Sequence, residues 1–271
     1  MFTQKSIKTE PIPERVYELC KIVSKGEINN KTVKEYMEPQ SINTSNTSYY
    51  SIVRNVCVSE LKLIEVEGEN LKFVGEKKVI KNMDTFRFFC NSIAFNDRES
   101  DFYKVANAYL ESNDKWLKYN TVTDVNIRTA VQDEYNMELV SEEKMLGMRF
   151  WMSFLGFGYI QEKGGISFLP NMHIALQDFC KLSKLEKNKE YTAKEFFEGI
   201  YDCASVALCR SMKKKSLNLA MSSAIRQMHD NKEIIIKNNL DSKETWALFP
   251  DETHEFTKKF THIIFKGVNR K

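Results

Sequence analysis

The chain has no long apolar run. No stretch approaches the roughly twenty residues of a membrane-spanning helix, so no membrane partner is expected. Glycine and proline are scarce, at 10 and 5 of 271 residues, which excludes collagen-like and linker-dominated chains. The six cysteines (Cys20, Cys57, Cys90, Cys180, Cys203, Cys209) form no CxxC pair, and the four histidines (His173, His229, His254, His262) show no HxxxH spacing. No zinc or disulfide framework is therefore expected, and the thiols read as free and buried. A Walker-type phosphate loop, a GxGxxG turn after a strand, an HExxH pair and a GxSxG elbow are all missing. The expectation is a protein that is not an enzyme and holds no cofactor. Neither charge sign dominates: 40 Lys and Arg face 37 Asp and Glu, a net +3, which excludes a histone-like polycation. The opening MFTQKSIKTE lacks the apolar centre of a signal peptide, so a cytoplasmic location is expected. The abundance of Asn, Lys and Ile suits an AT-rich genome, bacterial or viral.

What the chain does contain is globular. Hydrophobic residues make up 42% and charged residues 28%, and the length allows two or three domains. A motif of helices, an apolar corner and a two-stranded hairpin recurs. In residues 14–25, Val16, Leu19, Cys20 and Val23 form the i, i+3, i+4, i+7 stripe of an amphipathic helix, with Pro13 at its start and Gly26 at its exit. Asn30 reads as the cap of a second helix carrying Val33, Tyr36 and Met37, ended by Pro39. A third helix from Ser48 places Tyr49, Ile52, Val53 and Val56 on one face. The run SELKLIEVEGENLKFVG (59–75) then reads as a hairpin, with Gly68 supplying the positive φ of a tight turn.

Three helices followed by such a hairpin resemble a winged helix-turn-helix, and residues 13–75 look like one unit of that family. A second copy lies in 121–170. There Thr123 or Asp124 caps one helix, Ser141 caps the next, and Met145, Met148, Met152 and Leu155 share a face. Gly164-Gly165 turns the hairpin of LGFGYIQEKGGISFLPN (155–171). A looser third copy spans 192–266. Ser216 is its expected helix cap, 233–237 is expected to pair with 245–249, and a last strand runs over 261–265. The segment 76–118 reads as a helical insert with two apolar stripes, Phe86–Phe89–Cys90–Ile93 and Phe102–Val105–Ala106–Tyr109–Leu110, of the kind that packs between domains. The expected fold is mainly α with small β-hairpins (α+β): tandem winged-helix units joined by a helical insert. Unit one covers 1–75, the insert 76–120, unit two 121–191 and unit three 192–271.

Charge is uneven along these segments. Residues 1–75 balance at zero, 76–120 carry +1, 121–191 carry −2 and 192–271 carry +4. The winged-helix resemblance and the basic third unit point to duplex DNA, whose phosphates dominate non-specific affinity. Lys213, Lys214 and Lys215 precede the third unit's recognition helix and are phosphate candidates. Arg226 and Gln227 lie further along it. In the first unit, Ser45, Asn46, Thr47, Ser48, Ser51, Arg54 and Asn55 lie opposite the apolar stripe. There Arg and Asn suit base edges, and Tyr50 a phosphate. The wing acids Glu65, Glu67 and Glu69 argue against that face. Unit two opens its helix with Glu142 and Glu143 and is Met- and aromatic-rich, which suits a protein contact or a core. A competing reading is therefore an adaptor that binds protein partners, as in a bacterial anti-phage assembly. A ligand-sensing regulator would need a pocket that no sequence displays. The paired acids Asp97–Glu99–Asp101 and Asp251–Glu252–Glu255 read as a helix cap and a solvated loop.

Overall fold

The computed structural model describes residues 2, 7–41, 48–114, 125–136, 138, 140–162, 166–242, 244–256 and 258–268. They are mainly helical, with small antiparallel sheets. Helix α1 (Pro13–Val23) starts on a proline whose missing N–H would have had no helical partner, and Val16, Leu19, Cys20 and Val23 all face inward. Strand β1 (Ile28–Asn29) leads into α2 (Asn30–Met37). The cap of α2 is Asn29, which accepts from the Lys31 N–H at 2.9 Å, one residue earlier than expected. Helix α3 (Tyr50–Asn55) continues into a π-turn over Val56–Glu60. Strands β2 (Ile64–Glu67) and β3 (Asn70–Phe73) close on a turn in which Gly68 holds φ +63°. The sheet order is β1-β3-β2, antiparallel throughout.

The insert comprises a 3-10 turn (Lys77–Ile80), α4 (Met83–Ile93) and α5 (Asp101–Glu111). Helix α4 begins with a reciprocal cap between Asn82 and Thr85. Ser100, rather than the neighbouring acids, caps α5. Both apolar stripes pack inward: Phe86, Cys90, Phe102, Val105 and Leu110 are fully buried. Phe2 packs edge-on against both Phe102 and Trp151, each at 4.9 Å, and the Trp151 indole donates to the Pro11 carbonyl at 2.7 Å. These contacts hold the chain before α1 between the insert and the second unit.

Helices α6 (Val125–Tyr135) and α7 (Glu142–Phe154) precede a hairpin of β4 (Gly158–Glu162) and β5 (Ile166–Pro170). Ser141 caps α7 as its sequence indicates. Met145, Met148, Met152 and Leu155 are fully buried, so the methionine-rich face is core. The other expected cap, Thr123 or Asp124, and the Gly164-Gly165 turn lie outside the described residues.

The last segment starts with α8 (His173–Leu182) and β6 (Lys189–Thr192). Then come α9 (Ala193–Leu208), the short α10 (Ser211–Lys214), α11 (Leu219–Asp230) and β7 (Ile234–Lys237). Strands β8 (Trp246–Ala247), β9 (Lys259–Phe260) and β10 (His262–Phe265) finish it. Four features differ from the sequence reading. Strand β7 pairs with β10, not with the stretch around Trp246, because their buried alternations match: Ile236 faces Ile263 and Ile234 faces Phe265. Strand β8 pairs instead with β9, setting Trp246 opposite Phe260. Strand β6, from the segment assigned to unit two, pairs with the other edge of β10. Asn218, not Ser216, caps α11 through the Met221 N–H at 2.9 Å.

The succession α1-β1-α2-α3-β2-β3 with order β1-β3-β2 thus returns as α8-β6-α9-α11-β7-β10 with order β6-β10-β7. The second copy carries α10 and the β8–β9 excursion as additions. Buried residues from every segment join one continuous apolar cluster. All six cysteines are free, and burial pushes the Cys57 and Cys90 thiols well above their ordinary pKa.

Helix α9 begins with a full capping box. Thr192 accepts from the Glu195 N–H, and the Glu195 carboxylate accepts from the Thr192 N–H and hydroxyl. Those bonds hold Glu195 below its ordinary pKa, so their stabilisation is present above the carboxylate range and fades as pH falls through it. Thr192→Ala is expected to cost about 1 kcal/mol in urea denaturation at neutral pH.

Candidate nucleic-acid interface

The described start of α3 rests on a buried carboxylate. Glu38, at 3% exposure, accepts from the Ser48 hydroxyl and from the Tyr50 N–H, each at 2.7 Å. Tyr50 is itself buried. Its hydroxyl donates to the Asn30 side-chain oxygen at 2.7 Å, which also accepts from Arg54 Nη1 at 3.0 Å. Burial is the main reason the Tyr50 hydroxyl is pushed up to about 12, against the opposing charge of Arg54. This corrects the expectation for Tyr50: it braces α2 against α3 and has no route to a phosphate. Arg54 is half-buried and oriented by the same Asn30.

Ser51, Asn55 and Ser59 lie exposed at i, i+4 and i+8, on the side of α3 away from Val53 and Cys57. The Ser59 hydroxyl donates to the Asn55 side-chain oxygen at 3.1 Å. Thr47, with Ser45 and Asn46, lies outside the described residues. Exposed Lys31, Thr32 and Lys34 on α2 add two cations and a hydroxyl that the sequence reading passed over. Their signal was available: they occupy the polar side of a short helix whose one fully buried residue is Val33.

The β2–β3 hairpin, the expected wing, is acidic. Glu65, Glu67 and Glu69 are exposed, and Lys72 at 3.0 Å neutralises only Glu67. Such a strand repels a phosphate backbone.

In the last module the expected recognition helix is covered. Helix α11 buries Ala220, Met221, Ser222, Ala224, Ile225, Arg226 and Met228, so its polar side is not a groove-reading face. Arg226 is 4% exposed and donates to the Phe249 carbonyl at 2.8 Å and the Phe256 carbonyl at 3.0 Å. Its role as a base or phosphate contact is overturned, because the chain between β7 and β10 closes over it. Gln227 is half-buried and accepts from the Asn171 side chain at 3.0 Å. The N–H groups at the start of α11 are also engaged: Leu219 donates to Asn113 at 2.7 Å and Met221 to Asn218. A phosphate at that helix end would find them taken. Lys213, Lys214 and Lys215 do reach solvent. Lys215 has a left-handed backbone, at φ 51°, and pairs with Glu244 at 3.0 Å. Lys213 and Lys214 are the better phosphate candidates.

Among the described residues, no three His, Cys, Asp or Glu side chains assemble as a metal site, and no helix is long and apolar enough to cross a membrane. His262 makes a local hydrogen bond to Thr261 at 2.9 Å, whereas His254 reaches Asp230 at the end of α11 at 3.1 Å. No family model, curated protein or solved structure matches this chain.

Proposed function

We propose that the chain is a tandem winged-helix protein that binds duplex nucleic acid, and that its first module does the reading. The observation that carries this is the exposed polar row formed by Ser51 and Asn55 on α3 and Ser59 on the π-turn that follows, beside an Arg54 pre-oriented by Asn30. Hydroxyls and amides suit phosphate oxygens, and Arg and Asn suit base edges. Exposed Lys31 and Lys34 on α2 add positive charge to the same module. The repeated helix–strand–helix–helix–hairpin succession supports the family reading for both ends of the chain. Since the last module encloses its equivalent helix, its contribution is confined to phosphate contacts from Lys213 and Lys214.

The test is fluorescence anisotropy with a mixed-sequence duplex at two salt concentrations. Arg54→Ala with Asn55→Ala is expected to weaken binding by about tenfold or more. Replacing Lys213, Lys214 and Lys215 by Ala is expected to weaken binding evenly across sequences and to flatten the salt slope by about two, since Lys215 is already paired. An unchanged slope rejects the lysine role, and no binding at low salt rejects the reading.

The adaptor reading has one observation in its favour. Phe150 on α7 and Tyr159 and Ile160 on β4 are exposed at 37%, 46% and 37%. Consecutive strand residues point to opposite faces, so β4 shows an exposed apolar side chain on each face, although Phe168 opposite Ile160 is buried. An adaptor would leave the duplex unbound and lose its protein partner when these three residues are made polar.

A further inference from the structure

A cavity of about 760 Å³ opens where the base of the β2–β3 hairpin meets the 3-10 turn, α4 and the end of α8. It lies outside the proposed nucleic-acid face, and its size is in the range of small-molecule sites. Leu61, Leu63, Val79, Phe88 and Phe89 supply apolar walls. The two hydroxyls among the lining groups are committed to the backbone: Thr85 donates to the Val79 carbonyl at 3.1 Å and Ser92 to the Phe89 carbonyl at 2.6 Å. The walls therefore offer a ligand apolar contact and few donors.

The charge at the rim is mostly positive. Lys62, Lys78 and Lys181 line the cavity with a single acid, Glu76, which pairs with Lys78 at 2.5 Å. Lys62 is held there by backbone geometry. It takes φ 53° between Leu61 and Leu63, both of which turn inward at 4% and 3% exposure. Left-handed backbone is uncommon outside glycine and persists where neighbours enforce it. Here the Leu61 and Leu63 N–H groups are anchored on the Val56 and Cys57 carbonyls at 2.9 and 3.0 Å. The result is an outward lysine between two core leucines, at the lip of an apolar hollow.

We propose that this cavity binds a small amphipathic anion, with an apolar body against Phe88 and Phe89 and an acidic end group among the lysines. The walls belong to the first hairpin, the insert and α8, so a bound anion bridges the first module to the last. This assignment does not depend on nucleic-acid binding.

The probe is 1-anilinonaphthalene-8-sulfonate, titrated by fluorescence into the full chain, with dodecanoate and dodecyltrimethylammonium as competitors below their micelle concentrations. One saturable site is expected, displaced by dodecanoate and not by the cation. Val74 lines the mouth and is 42% exposed, so Val74→Trp fills the opening without entering the core. It is expected to lower probe affinity about tenfold, with near-UV dichroism and thermal midpoint unchanged. Lys62→Glu with Lys181→Glu is expected to lower it by a similar factor and to let the cation compete. Absence of a saturable site, equal displacement by both competitors, or unchanged affinity in both variants would overturn the assignment.

Discussion

Asp178→Ala is expected to lower the unfolding free energy by about 3–5 kcal/mol, the scale for removing one partner of a buried ion pair. Asp178 is 1% exposed on α8, and one of its oxygens accepts from Arg87 Nε at 2.9 Å and from the Asn91 amide at 3.0 Å. Both donors come from α4, so this carboxylate joins the insert to the last module. Burial on its own would favour the neutral Arg87, but the bonds and charges of Asp178 and Asp84 more than reverse that and raise its pKa. Alanine leaves the guanidinium with only the outer Asp84, at 2.6 Å, and leaves the Asn91 amide without its carboxylate. Asp178→Asn keeps the shape and removes the charge, so a smaller loss is expected. The double replacement Arg87→Met, Asp178→Leu is expected to recover much of the stability, because no buried charge is then stranded. Urea denaturation followed by circular dichroism measures all three. A loss under about 1 kcal/mol for Asp178→Ala would show that the seam is hydrated and that the pair contributes little.

Arg226→Ala is expected to cost about 2–4 kcal/mol, from two charge-assisted hydrogen bonds lost inside the molecule. The Phe249 and Phe256 carbonyls lose their donor, and the chain between β8 and β9 keeps only its outer bonds to α11, at Ser222, His229 and Asp230, among the described residues. Burial already lowers the pKa of this arginine, with Asp251 opposing. The loss should be regional. Amide exchange and limited proteolysis are expected to find the excursion between β7 and β10 opened, while α1–α3 stay protected. Lysine at this position cannot supply two donors in a planar fork and is expected to rescue only in part. Duplex affinity per folded molecule is expected to stay as it was. A variant of full stability with weakened duplex binding would instead place this guanidinium at the surface.

Much of the architecture is legible in residue spacing. The stripe of α1, the hairpin at Gly68 and the inward methionines of α7 each depend on neighbours within a few positions in the chain. The errors share a different origin. In α3, Val53 and Val56 are buried as their spacing indicates, but the start of the stripe is rotated, so that Tyr50 is buried and Tyr49 and Ile52 are only half-buried. That rotation is set by Glu38 and Asn30, twelve and twenty residues upstream. Strand β7 finds its partner in β10, past an intervening excursion, where local spacing predicts a hairpin with the Trp246 stretch. A nearby turn announces local pairing, whereas a distant partner is chosen by matching buried faces.

The candidate site follows the same division. Periodicity assigns Ser51, Asn55 and Arg226 alike to polar helix faces, and the winged-helix resemblance makes α3 and α11 the expected recognition helices of their units. It carries no information about whether another part of the chain lies over a polar face. In the first module a short turn joins β2 to β3 and Ser51 and Asn55 stay exposed on α3, while the Phe249 and Phe256 carbonyls accept hydrogen bonds from Arg226 and close α11. A helix's amphipathic pattern is a property of a few consecutive turns. Its contact with water depends on which remote segments find partners on it, and that is settled only when the whole chain packs.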